Sequence, residues 1–230
     1  AEGFTTHQVW DFASTTPDQY PLLLHFPYFD LYRKQVVKQA DLVLAMHVRG
    51  DAFTEDDKLR NFVYYEQLTV RDSSLSACTQ AVVAAETGHL ELAYDYLAET
   101  ALLDLNDLQL NTRNGLHMAA LAGTWLALVA GFGGMRDHDG RLTFSPRLPQ
   151  SIGRLVFNLR WRGSRLRVEL ADGTASYLVT DGGHSVQLWH NGEALTVTDQ
   201  AVRRPMPIVV ERARPASPLG RAPARRKPAG

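Results

Sequence analysis

The sequence predicts an α+β protein, with a helical region first and an antiparallel sheet region second. Two observations lead there. Residues 30–131 carry successive apolar segments near helical spacing, separated by short breaks. From residue 132 the pattern becomes short alternating runs punctuated by Asp-Gly and Asn-Gly turns. Strands and helices do not alternate, which argues against a dinucleotide-binding βαβ fold. Gly131, Gly133 and Gly134 follow a helix, not a strand, and match no phosphate-loop pattern.

In the helical region, Lys38 to Val48 has a wide apolar set (Ala40, Leu42, Val43, Leu44, Ala45, Met46, Val48), which predicts a helix buried on most sides. Thr54 can cap a helix through FTEDDKLRNFVYYEQ, with Glu55, Asp56 and Asp57 favourable in its first turn. Asp72 or Ser73 can cap the next, SSLSACTQAVVAAETG, which stops at Gly88. HLELAYDYLAETALLDL and GLHMAALAGTWLALVAGFGG complete the set. Successive helices with short breaks suggest stacked helix pairs, as in a bundle, a solenoid or an α/α barrel.

In the strand region, RLVFNLRW puts Leu155, Phe157, Leu159 and Trp161 on one face. The turns fall at Asp139-Gly140, Asp172-Gly173, Asp181-Gly182-Gly183 and Asn191-Gly192. An antiparallel sheet, half of a sandwich, is expected from about 141 to 198.

Charge divides the chain again. The net charge is -1, yet residues 203–230 hold 8 of the 24 Lys+Arg and 1 of the 25 acids. That segment therefore carries +7 and residues 1–202 carry -8. An acidic body argues against a nucleic-acid-binding fold. The last 24 residues contain five of the 11 prolines, and 203–230 reads as a disordered basic tail. Cys78 is alone, so no disulfide or Cys-based zinc site can form within the chain. There is no apolar run of the roughly 18 residues that span a bilayer, and no apolar signal region, giving the expectation of a cytoplasmic protein without a membrane partner.

The stretch YYEQLTVRDSSLSACTQ (64–80) is the most informative. Ser73 and Ser74 stand where a helix begins, and backbone N–H groups there lack intrahelical partners. Hydroxyls, free amides and the positive dipole end make an anion site, to which Arg71 can add charge. A plain Asp-Ser-Ser cap explains the same residues. His117 opens an apolar helix rich in small residues, where a core or capping histidine is the ordinary role. Lys38 and Gln39 begin an apolar helix, so their polar ends point outward or into a wet cavity. The carboxylates show no spacing specific to acid–base work, and the other histidines imply no metal.

Four words together, PYFDLYRKQVVKQADLVLA (27–45), YYEQLTVRDSSLS (64–76), NGLHMAALAGTW (114–125) and GFGGMRDHDGRLTFSPRLP (131–149), resemble glycoside hydrolase family 65, the inverting disaccharide phosphorylases of maltose, trehalose and kojibiose type. The resemblance implies the C-terminal half of an (α/α)6 barrel in 1–135, a small β-sheet domain in 136–202, and the tail beyond. It implies that Ser73, Ser74 and His117, with Arg71 beside them, hold inorganic phosphate, and that Lys38 and Gln39 line the sugar subsite. Phosphate, a co-substrate and not a cofactor, would attack the anomeric carbon while a carboxylic acid protonates the leaving oxygen, with inversion. The partners implied are a disaccharide and phosphate, and the full-length enzyme would be a homodimer.

Two departures stand out. Family members often have His where this chain has Arg71, and the family's catalytic Glu lies upstream of these words. The chain thus reads as the C-terminal part of a larger phosphorylase, inactive by itself. A hydrolase of the same family and a non-catalytic fragment are the alternatives.

Overall fold

The structure, a computed structural model, describes residues 2–182 and 184–223. Short elements come first: α1 (Glu2–Thr5), β1 (Gln8–Val9), α2 (Leu22–His25), α3 (Tyr28–Tyr32) and β2 (Lys34–Gln35). The helical region proper is α4 (Asp41–Val48), α5 (Glu55–Glu66), α6 (Ser76–Glu86), α7 (Leu90–Ala101) and α8 (Met118–Leu126), which runs on as a π-helix, Ala127–Phe132. The α+β expectation holds. Among the described residues, no helix is long and apolar enough to cross a membrane.

The sequence's local signals act where expected at α5. Thr54 Oγ1 accepts from the Asp57 amide at 3.1 Å, and Asp57 Oδ2 lies 3.3 Å from the Thr54 amide, a reciprocal capping box. α6 is the hub: nine of its eleven residues are buried, Ala81 through Ala85 among them. It packs against α4, α7, α8 and the π-helix. At Gly123 a Cβ would stand 2.5 Å from Cys78 Cβ, so the first turn of α6 lies directly on α8.

α4 departs from expectation. It starts at Asp41, and only Val43 and Met46 within it are buried, while Leu42, Leu44 and Val48 are exposed. The helix rests on α5 and α6 with one side, and its other side has no partner among the described residues. Lys38 and Gln39 precede the helix: the Lys38 carbonyl accepts from the Asp72 amide, and the Gln39 carbonyl from the Asp41 amide in a local turn.

Two sheets follow. A four-stranded sheet has the order β4 (Arg154–Trp161), β5 (Ser164–Ala171), β6 (Thr174–Asp181), β9 (Val202–Pro205), all antiparallel. A three-stranded sheet has the order β3 (Thr143–Phe144), β7 (Val186–His190), β8 (Glu193–Val197). β7 and β8 are antiparallel, but β3 and β7 are parallel, against expectation. The physical reason is the long excursion through the other sheet between them, which returns the chain in the same direction. Alternate residues on β5, β6 and β7 (Leu166, Val168, Leu170; Ala175, Tyr177, Val179; Val186, Leu188) are buried in one core shared with the helices. Asp172 and Asn191 have φ of 49° and 47° before glycines at 70° and 86°, the primed turn that a right-handed hairpin twist requires.

The third departure concerns the tail. β9 pairs with β6 through Ala175↔Arg204 and Ser176↔Arg203, beyond the expected end of the sheet. The chain then runs back over the helices: the Arg212 amide donates to Gly88 O at 3.0 Å. Composition suggested disorder, but a proline-rich extended chain needs only long-range contacts to be fixed, and here it has them. Arg225, Arg226, Lys227 and Pro228, like Gly183 of the expected turn, lie outside the described residues.

Helices and sheets are tied by a charge knot. Glu86, at the end of α6, accepts from Lys58 Nζ at 2.7 Å and from Arg136 Nη2 at 2.9 Å. Arg147 Nη1 donates to the Ala85 and Glu86 carbonyls at 3.3 and 2.7 Å, satisfying the helix end. His47 sits beside this knot. Burial, with Arg136 adding to it, pushes its imidazole down to about 4. A neutral buried histidine stabilises above its ordinary pKa of 6.5 and progressively less as pH falls through 4. Acidification across that window therefore costs about 2–3 kcal/mol at this residue. His47→Gln flattens the dependence, as chemical denaturation at neutral pH and at pH values down to the folded pKa will read.

Candidate functional site

The site begins with two strips of backbone laid side by side. After α5 ends at Glu66, the chain runs extended past the segment that precedes α4. The Val37 amide donates to Leu68 O at 2.8 Å, the Val70 amide to Val37 O at 2.8 Å, and the Asp72 amide to Lys38 O at 3.0 Å. This pairing brings the Lys-Gln word and the Asp-Ser-Ser word together. Ser73 Oγ donates to Gln39 Oε1 at 2.6 Å, and Gln39 Nε2 donates to Asp41 Oδ1 at 2.6 Å. The Ala40 amide donates to Ser76 Oγ at 3.4 Å.

Ser73 does not cap α6 as expected, because the helix starts at Ser76, three residues later. Its Oγ instead accepts from the Leu75 amide at 3.3 Å, a turn bond that closes the loop ahead of the helix. Ser74 is half-buried in the same turn, with no side-chain hydrogen bond among the described residues. Lys38 is exposed and lines a cleft of about 420 Å³ whose floor includes Leu22, Val70 and Asp72.

Arg71 is placed differently from expectation. Its φ is 54°, in the left-handed region, and its side chain turns inward. Nη1 donates to Tyr96 Oη at 3.1 Å, Nη2 to Glu99 Oε2 at 3.4 Å, and the guanidinium lies 5.1 Å from the Tyr96 ring centroid. Gln80 Nε2 donates to Glu66 Oε2 at 2.8 Å and to Tyr96 Oη at 3.1 Å, and the Tyr96 hydroxyl donates to Glu66 Oε1. Burial pushes Glu66 above the usual carboxylate range, opposed by the Tyr96 hydroxyl and the Arg71 charge. Burial holds the Tyr96 hydroxyl well above its ordinary value, so it stays a donor. Arg71 thus belongs to a buried polar network behind the serine turn; it does not reach out beside the serines.

His117 stands at the N-cap position of α8. Its amide donates to Asp104 Oδ2 at 2.9 Å, and Nδ1 lies 2.5 Å from Asp104 Oδ1. The hydrogen bond from His117 holds the Asp104 carboxyl below its usual range. A carboxylate on Nδ1 leaves Nε2 as the available ring nitrogen, and no hydrogen bond joins His117 to Ser73 or Ser74 in the structure. α8 carries His117 on the helix that touches the first turn of α6.

Residues 1–126 match the central catalytic domain of glycosyl hydrolase family 65, and residues 135–197 match that family's C-terminal domain. The chain belongs to glycosyl hydrolase family 65. An uncharacterized glycosyl hydrolase of Mycobacterium leprae is 54% identical over 98% of this chain and 29% of its own length. The α,α-trehalose phosphorylase of Geobacillus stearothermophilus is 42% identical over 84% of this chain and 24% of its own. A solved structure titled as a putative kojibiose phosphorylase from the human microbiome superposes with a TM-score of 0.82, at 24% identity, over 91% of this chain and 31% of that one. The chain therefore spans under a third of the length of the relatives it matches.

Sequence reasoning missed the supporting residues. Asp104 lies 13 positions before the histidine it orients, a spacing with no motif attached. Glu66, Gln80 and Tyr96 look in sequence like ordinary helix residues, and only the crossing of α5, α6 and α7 joins them. Removing Arg71 leaves Glu66 and Glu99 without that cation. Arg71→Leu in the full-length protein is expected to cost about 3–5 kcal/mol in denaturant unfolding, the usual penalty for breaking a buried charged network. A loss under about 1 kcal/mol would place the guanidinium outside that network.

Proposed function

We propose that the full-length protein is an inverting glycoside phosphorylase that cleaves an α-glucosidic disaccharide, of trehalose, maltose or kojibiose type, with inorganic phosphate. The products are β-glucose 1-phosphate and glucose. The observation that carries this reading is the serine turn: Ser73 and Ser74 precede a helix N-terminus, and Ser73 is bonded to Gln39 of the adjoining Lys-Gln word. The trehalose phosphorylase relative supports the same chemistry.

In this reading, Ser73, Ser74, the amides at the start of α6 and His117 Nε2 hold phosphate. Fixed donors at a helix start suit an anion because their reorganisation is already complete. Asp104 keeps His117 in one ring orientation. Arg71 contributes from behind by shaping the turn, not by contact. Gln39 and Lys38 line the sugar side, and the Ser73–Gln39 bond couples the two subsites. The proton for the leaving oxygen comes from a carboxylic acid outside residues 1–230, and so the isolated chain is expected to be inactive.

The test is release of glucose 1-phosphate from each of the three disaccharides by the full-length protein, with and without phosphate. Phosphate-dependent release of the β anomer supports the reading. Equal glucose release without phosphate would establish a hydrolase instead. Within a phosphorylase, Ser73→Ala and Ser74→Ala should each raise KM for phosphate about 10- to 100-fold, the range for losing one hydrogen bond to a charged group. Asp104→Asn should act in the same direction through His117.

A further inference from the structure

The C-terminal segment that follows β9 is a strap, and its contacts are specific. Glu211 accepts from the Leu90 amide at 3.0 Å and the Glu91 amide at 3.2 Å, so it caps α7 from a distance in sequence. Arg214 Nη2 lies 2.5 Å from Asp95 Oδ2, and the Asp95 side chain is 4% exposed. Farther on, Arg221 Nε donates to Val70 O at 2.6 Å, and its Nη2 donates to Arg71 O at 3.2 Å and to Asp72 Oδ1 at 2.8 Å. Its guanidinium carbon sits 4.5 Å from the Tyr20 ring centroid.

These three acceptors have a geometric meaning. The Val70 and Arg71 carbonyls belong to the two peptide planes on either side of the Arg71 Cα. Gripping both fixes the φ and ψ between them, and that φ is 54°, a conformation an unsupported arginine rarely keeps. The third acceptor, Asp72, has a side chain only 1% exposed, and its other oxygen accepts from the Leu22 amide at 2.8 Å. One planar fork therefore sets the backbone angle and the side chain immediately before Ser73. A lysine has the charge but not the fork.

We propose that Arg221 is a positioning residue for the phosphate turn: the strap reaches back to hold the Arg71–Asp72 backbone in the form that presents Ser73 and Ser74. This rests on the phosphorylase reading above. Arg221 itself faces the carbonyls behind the turn and touches no substrate.

The experiment uses the full-length protein and the disaccharide it cleaves. Arg221→Ala should raise KM for phosphate by about tenfold or more while KM for the disaccharide stays within about twofold, with Arg221→Lys in between. A phosphate KM within about twofold of wild type, or both KM values rising together in a folded variant, overturns the proposal. A second measurement needs no variant. Binding at one end of a coupled pair must stabilise the other, so saturating inorganic phosphate should slow amide hydrogen exchange in residues 211–223 of the wild type. Protection at residues 73–78 without any in the strap overturns the proposal and leaves the phosphorylase reading intact. A wild type whose cleavage ignores phosphate removes that reading, and this proposal with it.

Discussion

One backbone reversal governs the site. At Arg71 the chain takes a left-handed angle, which sends the arginine side chain into the helices and the next residues out into the serine turn. An L-residue adopts this angle at a cost of roughly 1–2 kcal/mol, so it must be held from outside. It is held from two sides. Tyr96 and Glu99 grip the guanidinium from the core, while Arg221 grips the carbonyls from the surface. Two arginines thus divide the work: one buried in the network as an anchor, the other clamped over it.

The buried side is unusual in its chemistry. Glu66, Gln80, Tyr96 and Arg71 form a connected polar group at the crossing of three helices, and a group of this kind is costly unless its members satisfy one another. Its benefit is specificity of arrangement: a carboxylate, a phenol held as donor and a guanidinium admit few alternative packings. The acidic body also acquires a role here. Some of its carboxylates are paired with cations: Glu86 with Lys58 and Arg136, and Asp72, next to the serine turn, with Arg221.

Much of the fold was legible in the sequence because it depends on local rules. Thr54 announces α5 through its capping box, and alternation in β4 to β8 announces which residues turn inward. What sequence could not show depends on distant partners. Lys38 and Gln39 look like the start of a helix, yet the backbone of Val37 and Lys38 pairs with residues 68–72, and α4 begins only at Asp41. Ser73 looks like a cap, but its hydroxyl closes a turn first. Family resemblance implies a phosphate role for Ser73 and a sugar role for Gln39 but no bond between the two, and the 2.6 Å contact comes from the pairing of their backbone segments. The inward direction of Arg71 follows from a positive φ that nothing in an arginine signals in sequence. Composition does not reveal the strap, because it measures the absence of a core and not the presence of anchors such as Glu211, Arg214 and Arg221.

The most direct measurement is a crystal structure of the full-length protein with inorganic phosphate bound. The arrangement described here predicts phosphate oxygens within hydrogen-bond distance of Ser73, Ser74 and His117 Nε2. It also predicts that the Arg71 guanidinium remains on Tyr96 and Glu99, and that Arg221 remains on the Val70 and Arg71 carbonyls. Phosphate bound directly by an Arg71 that has left the core, or bound away from the serine turn altogether, would contradict it.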